Sequence, residues 1–364
     1  MSEKIKVLIA VGGTGGHVFP GCNLGLHLIE KNYSVRLITD KRGLRFLSKF
    51  QNLNFSILST TPLIKKNLFT LLLSFFKILI SVLKSISFLI FNRPSIIFGM
   101  GGYASFPVCI AATILKIKFV IYENNLVLGK ANKYLTPFAE KIFVSYKDLE
   151  GIKKKYENKV LEIGNIIKKE IINYSNKDTK KKIEKLNILV LGGSQAAEVF
   201  ANILPNIFLE SKKKGVPLKI FQHCLPDQSE KLRLYYEKAQ IDFETFNFID
   251  NLEELFPKIN LAITRSGSSI LAELTNACIP FISVPLPSSA DNHQLKNANY
   301  YQKKDFSFVL EEKDIQHKLF TLLGEIFTNK LILSKISKNQ SQYSDKNVYN
   351  NITKALKKII DEKN

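Results

Sequence analysis

Cysteine is scarce in this chain: Cys22, Cys109, Cys224 and Cys278 are the only four in 364 residues, and none forms a C-x-x-C pair. That spacing argues against a disulfide scaffold and a cysteine zinc site, and fits reduced thiols in a cytosolic protein. Acidic residues are also few, 32 against 52 Lys and Arg, which leaves a net charge of +20. Such an excess implies a polyanionic partner: nucleic acid, an anionic membrane surface or a phosphorylated substrate. Nucleic acid is disfavoured, because aromatic–basic interleaving and a reading module are both missing. Lysine runs such as Lys153–Lys155, Lys180–Lys182 and Lys212–Lys214 read, taken singly, as solvated loops. No two aspartates lie two apart, so a D-x-D metal clamp is absent. An export signal is missing too. Ile5–Val11 is apolar but short, and it runs into Gly12-Gly13-Thr14-Gly15-Gly16 instead of a small-residue cleavage site. The expectation is a buried strand in a protein that stays inside the cell.

What is present is alternation. Apolar runs of strand length alternate with helical stretches, at Lys4–Val11, Ser34–Thr39, Ser95–Phe98, Phe119–Tyr122 and Lys141–Val144 in a first unit. Asn187–Leu191, Leu218–Gln222, Leu261–Thr264 and Phe281–Val284 repeat the pattern in a second. The fold class expected is therefore α/β, two doubly wound parallel-sheet domains facing across a cleft, residues 1–164 and 165–345. Leu68–Phe91 stands apart, being almost wholly Leu, Ile, Phe, Val and Ser. As a helix it would reach ~36 Å, enough to cross a bilayer. Two central lysines would cost about 5–7 kcal/mol there, roughly what the apolar residues return. Pattern decides: Thr70, Ser74, Lys77, Ser81 and Lys84 make one polar stripe. A spanning helix would also split the first sheet across the membrane. The segment is expected to form one or two helices, partly packed on the sheet and partly lying in a membrane interface.

Each half opens with a strand, a glycine turn and a helix, an arrangement that favours an anion. The dinucleotide pattern G-x-G-x-x-G fails at Val18, and the P-loop pattern fails because Cys22-Asn23 follows Gly21. What remains is Gly12–Gly21, GGTGGHVFPG. Pro20 suits the first turn of a helix. His17 then sits at the mouth of a phosphate-binding turn, where the positive helix end disfavours imidazolium and keeps a neutral, proton-accepting ring.

This string, followed in order by GMGGYASFP (Gly99–Pro107), YENN (Tyr122–Asn125), GN (Gly164-Asn165), GGSQ (Gly192–Gln195), FID (Phe248–Asp250), TRSGSSILAE (Thr264–Glu273) and DNHQLKNA (Asp291–Ala298), closely resembles one family. It is that of the peripheral-membrane N-acetylglucosaminyltransferases of bacterial peptidoglycan synthesis. Those enzymes move GlcNAc from UDP-GlcNAc onto undecaprenyl-diphospho-MurNAc-pentapeptide, turning lipid I into lipid II. The resemblance implies a glycosyltransferase-B fold of two Rossmann-like domains, with a C-terminal helix, within about 346–364, packing back on the first. It implies inverting transfer on the cytoplasmic face of the cell inner membrane and an anionic membrane surface as partner. Other cell-wall or division proteins are implied as further partners, with no obligatory cofactor or metal and no nucleic acid.

Roles carry over by position. His17 is the expected base. Thr14, Gly15 and Gly16 count with the donor site, although their backbone N–H groups would equally suit an acceptor diphosphate. Gly13, Gly102 and Tyr103 would shape the acceptor site, with Glu123 beside them as an alternative base. Asn125 would hold GlcNAc through an amide that both donates and accepts. Ser194 would bind the UDP diphosphate, Ile249 the uracil through its backbone, Glu273 the ribose diol, and Ser268, Ser269 and Gln294 complete the donor side. Lys168 and Arg265 would meet the leaving-group charge. Three departures from the family pattern stand out. Lys168 replaces an arginine and loses its bidentate fork. Ala196 replaces a glycine, and Tyr122 replaces His or Val. Alternatives from other classes are another glycosyltransferase-B enzyme with a different lipid acceptor, a nucleotide-sugar epimerase, and a non-catalytic nucleotide-sugar-binding protein.

Overall fold

The computed structural model describes residues 4–47, 50–58, 60, 67–174, 184–249, 251–329 and 331–362, without the side chains of residues 68 and 194–197. Lys180–Lys182, Asp250 and the side chains of Ser194 and Ala196 therefore lie outside the description. The chain divides into two compact units, Met1–Lys168 with Asp345–Asn364, and Lys169–Ser344.

The first unit runs β1 (Lys6–Ala10), α1 (Gly15–Glu30), β2 (Ser34–Thr39), α2 (Lys41–Leu47), β3 (Asn54–Ile57), α3 (Leu68–Asn92), β4 (Ile96–Gly99), α4 (Gly102–Ile114), β5 (Phe119–Glu123), α5 (Lys130–Leu135), β6 (Lys141–Val144) and β7 (Val160–Glu162). The second runs α6 (Lys169–Ile172), β8 (Leu186–Leu191), α7 (Gly193–Lys213), β9 (Leu218–His223), α8 (Pro226–Lys238), β10 (Asp242–Phe246), β11 (Leu261–Arg265), α9 (Ser268–Asn276), β12 (Phe281–Val284), α10 (His293–Lys303), β13 (Ser307–Val309), α11 (Ile315–Thr328) and α12 (Leu331–Gln340). The chain then returns to the first unit as α13 (Val348–Asp361).

Both sheets are wholly parallel, ordered β3-β2-β1-β4-β5-β6-β7 and β10-β9-β8-β11-β12-β13. Each reverses direction at its centre, between β1 and β4 and between β8 and β11, as doubly wound sheets do. Interior strands are buried on both faces. Ile97, Ile121 and Ile142 anchor one core, and Ile188, Ile220 and Ile263 the other. The four strands that the sequence does not announce, β3, β7, β10 and β13, are the sheet edges. Exposed residues break the apolar run in β3, β7 and β10, and β13 is only three residues long and opens with a serine.

The segment Leu68–Phe91 forms one continuous helix, α3. Asn67 and Thr70 cap it reciprocally. The serines of its polar stripe face inward, opposite to the polar side of an ordinary amphipathic helix, while the lysines stay outside. Ser74, Ser81 and Ser85 are buried. They donate to the carbonyls of Thr70, Lys77 and Ser81 at 2.7, 2.8 and 2.7 Å, so no hydroxyl needs water. Small side chains allow the helix to lie close on α4, which it packs against. The large residues point outward: Phe69, Leu72, Leu73, Phe75, Phe76, Leu79, Ile80 and Leu83 are all exposed. Lys77 and Lys84 are exposed as well, and at about 100° per residue they fall on one border of that face. Only 28% of the apolar window is buried, where a core helix would be mostly buried. Because β1 pairs with both β2 and β4, the strands before and after α3 share one sheet. The helix therefore cannot separate them across a bilayer.

Helix α13 lies along α1. The His27 ring stacks 4.7 Å from Tyr349, and its Nε2 meets Thr353 Oγ1 at 3.0 Å. The passage out of the unit is pinned at three points. The Asn165 N–H donates to Asp345 Oδ1 (2.8 Å), the Ile166 N–H to the Tyr122 hydroxyl (3.1 Å), and the Tyr349 hydroxyl to the Ile167 carbonyl (2.6 Å). Tyr122, one of the departures from the family pattern, thus has a structural task. Burial pushes its phenol well above the ordinary tyrosine range, partly offset by the bonds to Ser145 and Ile166.

Candidate functional site

In the first unit, two glycine turns meet where the sheet order reverses, at the carboxyl ends of β1 and β4. Helix α1 begins at Gly15, with Thr14 in extended conformation at its N-cap. Gly15, Gly16 and His17 thus form its first turn. The start is earlier than the proline suggests, for Pro20 lies inside the helix and not in its first turn. Gly101 and Gly102 adopt φ of +83° and +72°, which only glycine takes without strain. A Cβ on Gly102 would also come within 3.4 Å of His17 Nε2, and one on Gly101 within 3.5 Å of Cε1. The Nε2 side of the imidazole therefore lies close against the second glycine turn.

Asp40, at the end of β2, organises the same corner and carries no motif that announces it. Its buried carboxylate accepts the Gly13 and Gly43 N–H groups at 3.1 and 2.8 Å through Oδ1. Through Oδ2 it accepts the Tyr103 hydroxyl at 2.6 Å. Arg42 lies 3.7 Å from Oδ2, donates to the Tyr103 hydroxyl and stacks 4.7 Å from its ring centre. Gly13, Gly102 and Tyr103, all expected around the acceptor, come together here with an arginine that the sequence does not single out.

The β5 turn adds a second cluster. Buried Glu123 accepts the backbone and side-chain N–H groups of Asn125, both at 3.1 Å, through Oε1. Through Oε2 it accepts Gly129 N–H (2.8 Å) and Asn132 Nδ2 (3.0 Å). Four donors thus occupy the two carboxylate oxygens, and Glu123 holds the shape of this turn. Asn124 Nδ2 donates to the Gly16 carbonyl at 3.2 Å, and Asn125 Nδ2 donates to Asn124 Oδ1 at 2.9 Å. The two turns are thereby tied together. Lys168 is half-buried at the end of this unit, next to the α6 start.

In the second unit the reversal lies between β8 and β11. Gly193, at φ +65°, opens the long helix α7, whose first turn contains Ser194. Gly267 opens α9, which places Ser268 and Ser269 in its first turn. Glu273 lies four residues after Ser269 and shares its face. Gln294 Oε1 accepts the N–H groups of Ser266 (3.2 Å) and Leu286 (3.0 Å), joining the loops after β11 and β12. Its amide N–H groups have no partner among the described residues. Ile249 is half-buried in the loop after β10. Arg265 does not meet the expectation of a leaving-group cation. It is buried, pairs with Glu312, donates to the Val284 and Pro285 carbonyls at 3.4 and 3.3 Å, and lies over Phe200. Its charge is already balanced inside the unit. Among the described residues, no group of three or more His, Cys, Asp or Glu could hold a metal.

Two Rossmann-like units, each with a wholly parallel sheet and a glycine-turn helix at its reversal, define the glycosyltransferase-B class. The crystal structure of Acinetobacter baumannii MurG has this fold: it superposes with a TM-score of 0.77 over 97% of this chain and 99% of that one, at 23% identity. Residues 7–144 match the glycosyltransferase family 28 N-terminal domain, and residues 187–353 match the glycosyltransferase family 28 C-terminal domain. The UDP-N-acetylglucosamine--N-acetylmuramyl-(pentapeptide) pyrophosphoryl-undecaprenol N-acetylglucosamine transferase of Pelagibacter ubique (strain HTCC1062) is 36% identical over 98% of this chain and 99% of its own. The protein of the same name from Rickettsia canadensis (strain McKiel) is 35% identical, over 92% and 94%. The chain belongs to glycosyltransferase family 28, alongside these transferases.

Proposed function

We propose that this protein transfers GlcNAc from UDP-GlcNAc to the muramoyl 4-hydroxyl of undecaprenyl-diphospho-MurNAc-pentapeptide, with inversion, in peptidoglycan synthesis. The observation that carries the reading is the His17 ring set against Gly101-Gly102 at the reversal of the first sheet. That is where a doubly wound sheet receives its ligand. A chain 36% identical over almost its full length to a transferase of that name supports the choice of substrates.

In this reading His17 takes the proton of the 4-hydroxyl as its oxygen bonds to C1 of GlcNAc. The C1–O bond to UDP breaks, and UDP departs with the electron pair. Gly13, Gly102 and Tyr103 hold the acceptor, and Thr14, Gly15, Gly16 and Asn125 contact the sugar of the donor. Glu123, with four donors on its carboxylate, shapes the Asn125 turn and leaves the proton to His17. Ser194, Ile249, Ser268, Ser269, Glu273 and Gln294 hold UDP. The departing charge falls on the α7 N-terminus with Lys168. The outward apolar face of α3 lies in the membrane interface, with its lysines towards anionic headgroups on the cytoplasmic face of the inner membrane.

Radiolabel transfer from UDP-GlcNAc to purified lipid I in detergent tests the reading. A product sensitive to a β-N-acetylglucosaminidase supports it, and absence of transfer with intact UDP-GlcNAc binding overturns it.

A further inference from the structure

Helix α1 carries proline at its sixth position. Proline has no N–H, so the carbonyl four residues earlier loses its helical donor. In α1 that carbonyl belongs to Gly16, the residue immediately before His17. An orphaned carbonyl in the first turn would leave the turn free to unwind. Here it is met by Asn124 Nδ2 at 3.2 Å, from a side chain only 7% exposed. The orientation of that amide is fixed from its other end, since Asn124 Oδ1 accepts from Asn125 Nδ2 at 2.9 Å, while Asn125 in turn donates to Glu123 Oε1 at 3.1 Å. Asn125 is one of the residues assigned to the donor sugar.

We infer that Asn124 is a positioning residue for His17. It supplies the hydrogen bond that Pro20 withholds from Gly16, and so fixes the first turn of α1 to the turn that presents Asn125. The inference rests on the His17 assignment made above. It predicts an interaction between two residues that do not touch the reacting atoms. It also predicts a specific cure. Restoring an N–H at position 20 gives Gly16 its own helical donor and makes Asn124 dispensable.

The test is a double-variant cycle on the full chain. Asn124→Ala should lower kcat by roughly 10- to 100-fold, the scale of a small misplacement of a catalytic group. UDP-GlcNAc affinity by calorimetry should be little changed. Pro20→Ala should turn over near the wild-type rate, and P20A/N124A should recover to within about threefold of P20A. The imidazole resonances of His17 should move in N124A and return in the double variant, a readout independent of turnover. If N124A is too unstable for kinetics, P20A/N124A against P20A alone carries the comparison. A double variant as slow as N124A, or an N124A enzyme as fast as wild type, overturns the inference. Wild-type protein that transfers no sugar overturns instead the functional reading on which it rests.

Discussion

At the scale of single residues, the site is a set of turns held by buried side chains. His17→Ala should leave UDP binding nearly intact and cut turnover by roughly 10²–10⁴, the usual contribution of a positioned base. Calorimetry with UDP beside a transfer assay checks this, and near-normal turnover would remove His17 from the role. Asp40→Asn keeps the size of a side chain that accepts from Gly13, Gly43 and Tyr103 but offers N–H where one carboxylate oxygen accepted. The mismatch should cost about 1–3 kcal/mol of stability. The Michaelis constant for the lipid acceptor should rise about tenfold, with donor affinity unchanged; equal losses for both substrates would refute a local role. His17 was legible because it stands inside a glycine loop after an apolar strand. Asp40 was not, since nothing near it in sequence says that three donors will converge on it. Pro20 did carry a signal, an unpaired carbonyl at Gly16, but sequence cannot say which distant side chain answers it.

At the scale of elements, legibility follows burial. Strands covered on both faces read as mainly apolar runs, as in β4, β5, β11 and β12. Edge strands such as β10, DFETF, mix charge with aromatics because one face meets solvent, and nothing separates them from loops. Helix α3 misleads in another way. Its serines satisfy themselves on their own backbone and can turn inward, so polarity alone does not tell which side faces the sheet. Its outward face supports a direct test. Replacing Leu72, Leu73 and Leu79, all exposed, by glutamine should release the protein from vesicles containing anionic lipid without lowering its melting temperature. Flotation of the triple variant with vesicles at the wild-type level would mean that the face serves some other purpose.

For the whole molecule, the buried acids set an alkaline limit. Burial pushes the Cys22 and Cys109 thiols from 9.0 up to about 12, and raises the Tyr122 phenol above its ordinary 10.0. Between those values the folded protein keeps protons that the unfolded chain has lost, so rising pH favours unfolding. This share of the stability is complete below about pH 9 and drains away towards about pH 12. Melting temperature should therefore fall steadily from pH 9 to pH 11. Both thiols should resist iodoacetamide at pH 8.5 and react once urea is added; labelling at equal rates in both conditions would contradict the assignment.

The path of the chain has a consequence for biogenesis. Since α13 and Asp345 belong to the first unit but follow the entire second one, the second unit is an insertion within the first. On the ribosome, residues 169–344 can finish folding while the amino-terminal lobe still lacks its closing helix, an interval of roughly ten to thirty seconds at ordinary synthesis rates. During that interval the side of α1 that carries His27 stays uncovered, because Tyr349 and Thr353 arrive only with the closing helix.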